Sequence, residues 1–167
     1  MKMKKNQFQS PHYLGNDFFE KLWHESWIYV KTVFDASKES ILILDQQLSV
    51  IVANKSFYQT FQVEKKDTEG KKLSLLGNGE WNIPALHKLL NEILSKDTSL
   101  TGFEVAREFP GIGSKTMLLS ARQMYYRKDS ESEAFLPVIL IAFEDITDLV
   151  SVAESFVKQL NQQHQPD

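Results

Sequence analysis

Residues 40–61 read SILILDQQLSVIVANKSFYQTF and contain the elements from which the rest of the fold prediction starts. Ser40–Asp45 and Ser49–Asn54 are short runs rich in β-branched and apolar residues, and the polar residues Gln46 and Gln47 lie between them. Such a pattern predicts two short strands joined by a turn. Lys55–Phe61 follows directly and predicts a short helix.

The segments downstream of this stretch predict several helices and then three longer strands. Short helical pieces are expected near residues 64–68 and 72–76. Ile83–Leu94 predicts a longer amphipathic helix, with Pro84 in the first turn, where proline is tolerated. Three strands and a final helix complete the domain: Leu100–Phe109, Lys115–Tyr126, Phe135–Asp145 and Thr147–Leu160. Strands that follow one another without alternating helices predict an antiparallel α+β domain.

Composition excludes several functional classes. The 167 residues, 42% of them hydrophobic, suffice for one domain with flanking helices, and the net charge of −3 argues against binding to nucleic acid. The absence of cysteine excludes disulfides, thiolate metal sites, a cysteine nucleophile and a cysteinyl flavin adduct. No signal peptide is apparent, and the apolar runs Ile41–Leu44 and Val138–Phe143 are too short to span a bilayer. We therefore expect a cytoplasmic protein that does not insert into membranes.

The sequence Leu76-Gly-Asn-Gly-Glu80 places two glycines ahead of the Ile83–Leu94 helix, an arrangement that can bind phosphate. A Walker loop would continue with Gly-Lys-Ser/Thr, whereas Gly79 is followed by Glu80 and Trp81. The acidic side chain would repel a phosphate. The two glycines are better explained by a tight turn that needs positive φ angles.

Five motifs in a fixed order resemble the PAS domain family, and more narrowly the PAS modules of bacterial sensor histidine kinases and chemotaxis methyltransferase fusions. The resemblance covers residues 34–147, about two thirds of the chain. The motifs are Ile41–Asp45, Val52–Phe57, Leu76–Gly79 with Trp81 and Ile83-Pro84, Phe109–Gly113, and Glu144–Thr147.

This resemblance implies a five-stranded antiparallel sheet with helices on one face and N- and C-terminal flanking helices that carry the signal. The chain then divides into a tail with a flanking helix (residues 1–33), the PAS domain (34–147) and a C-terminal signalling helix (148–167). None of the family's pattern positions is catalytic, so no enzyme activity is expected. A histidine kinase or another signalling effector is the partner that the resemblance implies.

A cleft between sheet and helices would hold a ligand, if one binds. Its mostly apolar lining favours a small hydrophobic molecule. The residues expected to line it are Leu42, Leu44, Val52, Phe57, Phe61, Leu86, His87, Leu90, Met117, Leu119 and Ile141.

No cofactor or metal is expected. Haem-binding PAS domains use a histidine from the helix that corresponds to Ile83–Leu94, so His87 keeps a haem-binding sensor as an alternative. A lone histidine at a helix edge is more often satisfied by water or a backbone carbonyl, and haem is disfavoured. Flavin is disfavoured too, and the other histidines show no spacing for a metal site.

The flanking helices predict a homodimer. The N-terminal helix has an aromatic face, from which Phe19, Trp23, Trp27 and Val30 are the expected contacts. In the C-terminal helix Ile146, Leu149, Ala153, Phe156 and Leu160 have coiled-coil spacing over two heptads, and Phe156 is the expected contact. The aromatic helix could instead cover the sheet, and a purely structural dimerisation module remains the alternative function.

Asp145 and Thr147 lie where the last strand passes into the final helix. Either side-chain oxygen can cap the first N–H groups of that helix. We therefore expect these two residues to form a hinge through which the sheet sets the helix direction.

Overall fold

The computed structural model describes residues 28–127 and 135–163. The chain divides into two compact units, residues 1–35 and residues 36–167. The described residues of the first unit, 28–35, belong to helix α1, which comprises residues 28–36. Val30 and Val33 in α1 are exposed.

The second unit is an α+β domain whose elements follow the predicted order. The first half contains β1 (Ser40–Leu44), β2 (Val50–Ala53), α2 (Lys55–Phe61), α3 (Lys65–Thr68), a 3₁₀ turn (Leu73–Leu75) and α4 (Pro84–Lys96). The second half contains β3 (Ser99–Phe109), β4 (Gly113–Arg127), β5 (Phe135–Asp145) and α5 (Thr147–Gln163).

The five strands form one antiparallel sheet in the order β2-β1-β5-β4-β3. The hairpins β1–β2, β3–β4 and β4–β5 pair strands that are neighbours in the chain. The last strand then returns to lie between β4 and β1, so the first hairpin and the long C-terminal strands share one sheet. The predicted five-stranded antiparallel α+β fold is confirmed.

Asn54 joins the first hairpin to α2. Its Oδ1 accepts hydrogen bonds from the backbone N–H groups of Phe57 (3.0 Å) and Ile41 (2.8 Å), and its Nδ2 donates to the Glu39 carbonyl (2.9 Å). The side chain is fully buried. One residue therefore caps the helix and also binds the backbone at the start of β1.

The core lies between one face of the sheet and the helices. Its helical side chains come mainly from α2 and α4, whose apolar residues recur at helical spacing. The core residues of the sheet include Leu42, Leu44, Val105, Met117, Leu119, Ile139, Ile141 and Phe143, and those of the helices include Phe57, Phe61, Leu86, Leu90 and Ile93.

The register of the β1–β2 pair corrects one sequence prediction, and the pair also contains a bulge. Ile43 pairs with Val52 and Leu44 pairs with Val50, so Ile51 is an extra residue without a partner in β1. Because directly paired residues share a face and side chains alternate along a strand, the pairing with Ile43 places Val52 on the opposite face from Leu42 and Leu44. The prediction that Val52 faces the interior is wrong.

Candidate functional site

The apolar residues predicted to line the cleft are brought together, but they fill it. Leu42, Leu44, Leu86, Leu90 and Leu119 have no exposed surface. Met117 and Ile141 are also buried in the same cluster, together with Phe57 and Phe61. Their role as the lining of a ligand pocket stays a prediction.

His87 lies at the edge of the helical layer. It lines a polar surface groove of about 230 Å³ with residues of the β1–β2 turn and the 3₁₀ turn. Its Nε2 lies 3.1 Å from the Trp81 carbonyl oxygen. Because a carbonyl oxygen only accepts, His87 Nε2 is the donor in this contact. The expected backbone-carbonyl partner is therefore present.

An open groove of about 160 Å³ lies beside the filled cleft, between α2, α3 and the β3–β4 hairpin. Phe57 and Phe61 are the two predicted pocket residues that line it. The other lining residues come from three segments: Gln62, Val63, Asp67 and Thr68; Leu76, Gly77, Asn78, Glu80 and Trp81; and Phe109, Pro110 and Ile112.

The floor of this groove is aromatic. The Phe61 ring meets the Trp81 ring edge to face, with centroids 5.2 Å apart, and Trp81 lies 5.4 Å from the Phe109 ring. Phe143 of β5 packs behind the floor, 5.0 Å from Trp81. The four rings connect the end of α2, the two-glycine turn, the β3–β4 hairpin and β5 in one apolar cluster.

The two-glycine turn forms part of the rim. Gly77 and Gly79 have φ angles of +62° and +89°, which confirms the prediction of a turn that needs glycine. The Glu80 carboxylate folds back over this turn, and its Oε2 accepts a hydrogen bond of 2.7 Å from the Asn78 N–H. A Cβ atom at position 77 would lie 2.2 Å from that oxygen. The turn thus holds a carboxylate where a phosphate-binding loop would hold an anion from solution.

Asp145 connects β5 to β4 and to the start of α5. Its Oδ2 lies 2.6 Å from Lys115 Nζ, and its Oδ1 accepts from the Thr147 N–H at 3.0 Å and from the Thr147 hydroxyl. The Thr147 Oγ1 in turn accepts from the Thr116 N–H at 3.0 Å. Asp145 therefore caps α5 as predicted, whereas Thr147 binds β4 rather than its own helix.

The Asp145 carboxyl has a lowered pKa. Partial burial raises its pKa, but the hydrogen bonds from Lys115 and Thr147 and the positive charge of Lys115 outweigh burial and bring the pKa below the ordinary value. The anion is the form that this junction stabilises.

The final helix carries a broad apolar surface. Leu149, Val152, Phe156 and Val157 are exposed, with 65% of Phe156 accessible to solvent. In the heptad phase set by Leu149 and Phe156, the charged residues of α5 are Asp148, Glu154 and Lys158, and all three occupy outward positions.

Of the residues predicted for a dimer interface, Val30 and Phe156 are described and both are exposed, Val30 by 59%. Phe19, Trp23 and Trp27 lie outside the described residues. Their role in an interface stays a prediction.

Sequence reasoning missed the residues that give the groove its shape and charge. In the sequence Trp81 and Phe109 stand out only as parts of motifs, and no spacing links Asp67 to Glu80. Glu80 had one usable signal, since an acidic residue after two glycines can fold back over their turn. Lys115 could not be matched with Asp145 by spacing, because they are 30 residues apart.

Within residues 28–127 and 135–163, no group of three or more His, Cys, Asp or Glu side chains could hold a metal ion. In the same part of the chain, no helix has both the length and the apolar character needed to cross a bilayer.

Comparison with known proteins assigns the fold. The structure is similar to the PAS domain of an HTR-like protein from Haloarcula marismortui, with a TM-score of 0.58, 16% identity and coverage of 78% of this chain and 99% of that one. It is also similar to the PAS domain of nitrogen regulation protein NR(II) from Vibrio parahaemolyticus, with a TM-score of 0.54, 18% identity and coverage of 70% and 97%. A third similar structure is VqmA bound to DPO, with a TM-score of 0.57, 12% identity and coverage of 73% and 58%.

No family model matches the sequence, and no curated protein matches it. The likeness therefore lies in the three-dimensional structure. The chain has the PAS fold.

Proposed function

We propose that this protein is a non-catalytic PAS module of bacterial signal transduction, which acts in the cytoplasm as a homodimer and transmits its state through the flanking helices. The observation that carries this proposal is the junction between β5 and α5. There, one carboxylate binds the first turn of α5 and a lysine of the neighbouring strand. A shift between β4 and β5 would change these bonds and so the direction of α5.

The surface of α5 supports pairing with a second copy. Its 17 residues are about 25 Å long at 1.5 Å per residue, which suits two heptads of contact. The positions that flank a coiled-coil seam hold Val150, Val152, Val157 and Gln159, none of them charged. Two copies can therefore pair through α5 without repulsion between like charges. Pairing would bury their apolar surfaces against each other and away from water. A histidine kinase or other effector would receive the signal from this paired helix.

A small ligand is the signal that we propose for the module, consistent with VqmA, a protein of the same fold whose structure was solved with DPO bound. A cofactor-free structural dimerisation module is the second candidate. The filled cleft favours it, because Leu42, Leu86 and Leu119 leave no space there. A haem sensor is disfavoured because His87 Nε2 is hydrogen-bonded to Trp81.

Light scattering of the full chain at tens of micromolar tests the homodimer. We expect twice the chain mass for the wild type and for Ser151→Glu, and a shift toward the monomer for Phe156→Glu. Both variants add one negative charge to α5, but Ser151 lies on the outward side of the seam and Phe156 lies in it. A monomeric wild type would overturn the proposal, and equal effects of the two variants would remove α5 from the interface.

A further inference from the structure

We propose that the open groove between α2, α3 and the β3–β4 hairpin binds a small organic cation with an apolar body. The inference rests on the proposed function in one respect, that the bound cation would be the signal of the module. The shape and lining of the groove do not depend on the proposed function, because they follow from the described residues around it.

The aromatic floor sets the shape of the ligand. Phe57, Phe61, Trp81 and Phe109 are all nearly buried, so the floor offers ring edges and narrow portions of ring surface. The open groove, about 160 Å³, is similar in volume to an enclosed apolar cavity of roughly 150 Å³ that takes benzene. A single ring or a short branched chain fits such a space, and an apolar body would displace water from the rings.

The rim sets the charge of the ligand. Asp67 and Glu80 are the ionisable residues that line the groove, and both are acidic. Gln62 and Asn78 add amides beside them, and no lysine, arginine or histidine is among the lining residues. A cation is attracted by both carboxylates, whereas an anion is repelled.

The two carboxylates differ in how firmly they are held. The turn at Gly77 holds Glu80, whose hydrogen bond from the Asn78 N–H occupies only Oε2. Asp67 forms a loose ion pair with Lys71, 3.5 Å between Nζ and Oδ1, and both side chains are about half exposed. Such an exposed pair contributes little, so a ligand cation can replace Lys71 beside Asp67.

The floor also contacts the strand that leads into α5. Phe143 lies 5.0 Å from Trp81 and 6.0 Å from Phe61, ring centre to ring centre, and precedes Asp145 by two residues. Occupancy of the groove would therefore act on the end of β5, beside the junction on which the proposed signalling depends.

Titration of the isotope-labelled full chain with three matched probes tests the proposal: benzylamine, which is a cation at neutral pH, neutral benzyl alcohol, and anionic benzoate. The readout is the shift of the amide signals of Gly77, Asn78 and Trp81. We expect benzylamine to bind about fivefold more tightly than benzyl alcohol, as befits one partly exposed charge interaction, and benzoate to bind most weakly.

The double variant Asp67→Asn, Glu80→Gln should bind benzylamine and benzyl alcohol equally. The control variant Glu104→Gln also removes a carboxylate, but from the exposed surface of β3, and should keep the preference. Equal binding of the two probes by the wild type, shifts outside the groove, or no saturable binding would overturn the proposal. A dimer that fails to bind benzylamine rejects only this inference, and a monomer that binds it rejects only the proposed homodimer.

Discussion

Lys115 Nζ lies 2.6 Å from Asp145 Oδ2, so an ion pair joins the start of β4 to the end of β5 at the point where α5 begins. Asp145 binds the first residue of α5 at the same time. A single carboxylate thus has partners on the sheet and on the helix. The PAS fold brings these groups together across 30 residues of sequence.

Replacement of Asp145 or Thr147 by alanine should destabilise this junction. Each variant should lower the free energy of unfolding by about 0.5–2 kcal/mol, because Asp145→Ala removes the side chain that caps α5 and Thr147→Ala removes the hydrogen bonds of its hydroxyl with Asp145 and the Thr116 N–H. Urea denaturation measures this, and Ser151→Ala, one turn further along α5, is the control that should change little. Hydrogen exchange in residues 147–151 should also rise in the two junction variants. Unchanged stability and exchange would remove the hinge role.

The contribution of Asp145 to stability should depend on pH. The folded state lowers its pKa below the ordinary 3.8, so in the interval between the two values the unfolded chain binds more protons than the folded one. The stabilisation is therefore complete above the ordinary value and is lost as the pH falls through the lowered one. The difference in unfolding free energy between the wild type and Asp145→Asn should be constant near neutral pH and shrink below about pH 4. A difference that stays constant down to pH 2.5 would contradict this.

Asn54→Ala should be among the more damaging substitutions of a polar residue. It removes the hydrogen bonds of a fully buried side chain with the Ile41 and Phe57 N–H groups and the Glu39 carbonyl, and leaves these backbone groups without this partner. We expect a loss of about 2–4 kcal/mol, a cap plus buried groups left unsatisfied. Asn91→Ala, which removes one exposed bond to the His87 carbonyl, is the matched control. Similar losses in the two variants would show that burial at Asn54 does not matter.

Comparison of Gly77→Ala with Gly79→Ala should distinguish the effect of backbone strain from the effect of displacing the Glu80 carboxylate. Both residues have positive φ, and each alanine should cost about 1–2 kcal/mol of stability. Only at position 77 would the new Cβ collide with the Glu80 carboxylate, whereas at position 79 the nearest atom lies 3.9 Å away. The preference for benzylamine over benzyl alcohol should therefore fall in Gly77→Ala and persist in Gly79→Ala. Equal preferences in both would mean that Glu80 does not set the charge of the groove.

The sequence by itself determined most of the local structure. The run Lys55–Phe61 is the observed α2, and α5 begins at Thr147 as predicted. The two-glycine turn has the positive φ angles that its residues predict. These features depend on neighbouring residues, so hydrophobic periodicity, proline placement and glycine are sufficient to predict them.

The tertiary structure decided where the accessible space lies. A list of inward-facing apolar residues cannot distinguish an open cleft from a packed core. The difference depends on whether side chains from distant segments fill the space between the sheet and the helices. Leu42, Leu86 and Leu119 fill the predicted cleft completely. The open groove forms beside it, where Asp67, Trp81 and Phe109 meet from separate segments.

Two further features also required the assembled sheet. The register that pairs Val52 with Ile43 places Val52 on the outer face, away from Leu42 and Leu44. Lys115 lies next to Asp145 because the register of β4 with β5 pairs Met117 with Asp145. Sequence predicts the strands, but pairing register is set by the packing of the whole sheet, and this decides which charges become neighbours.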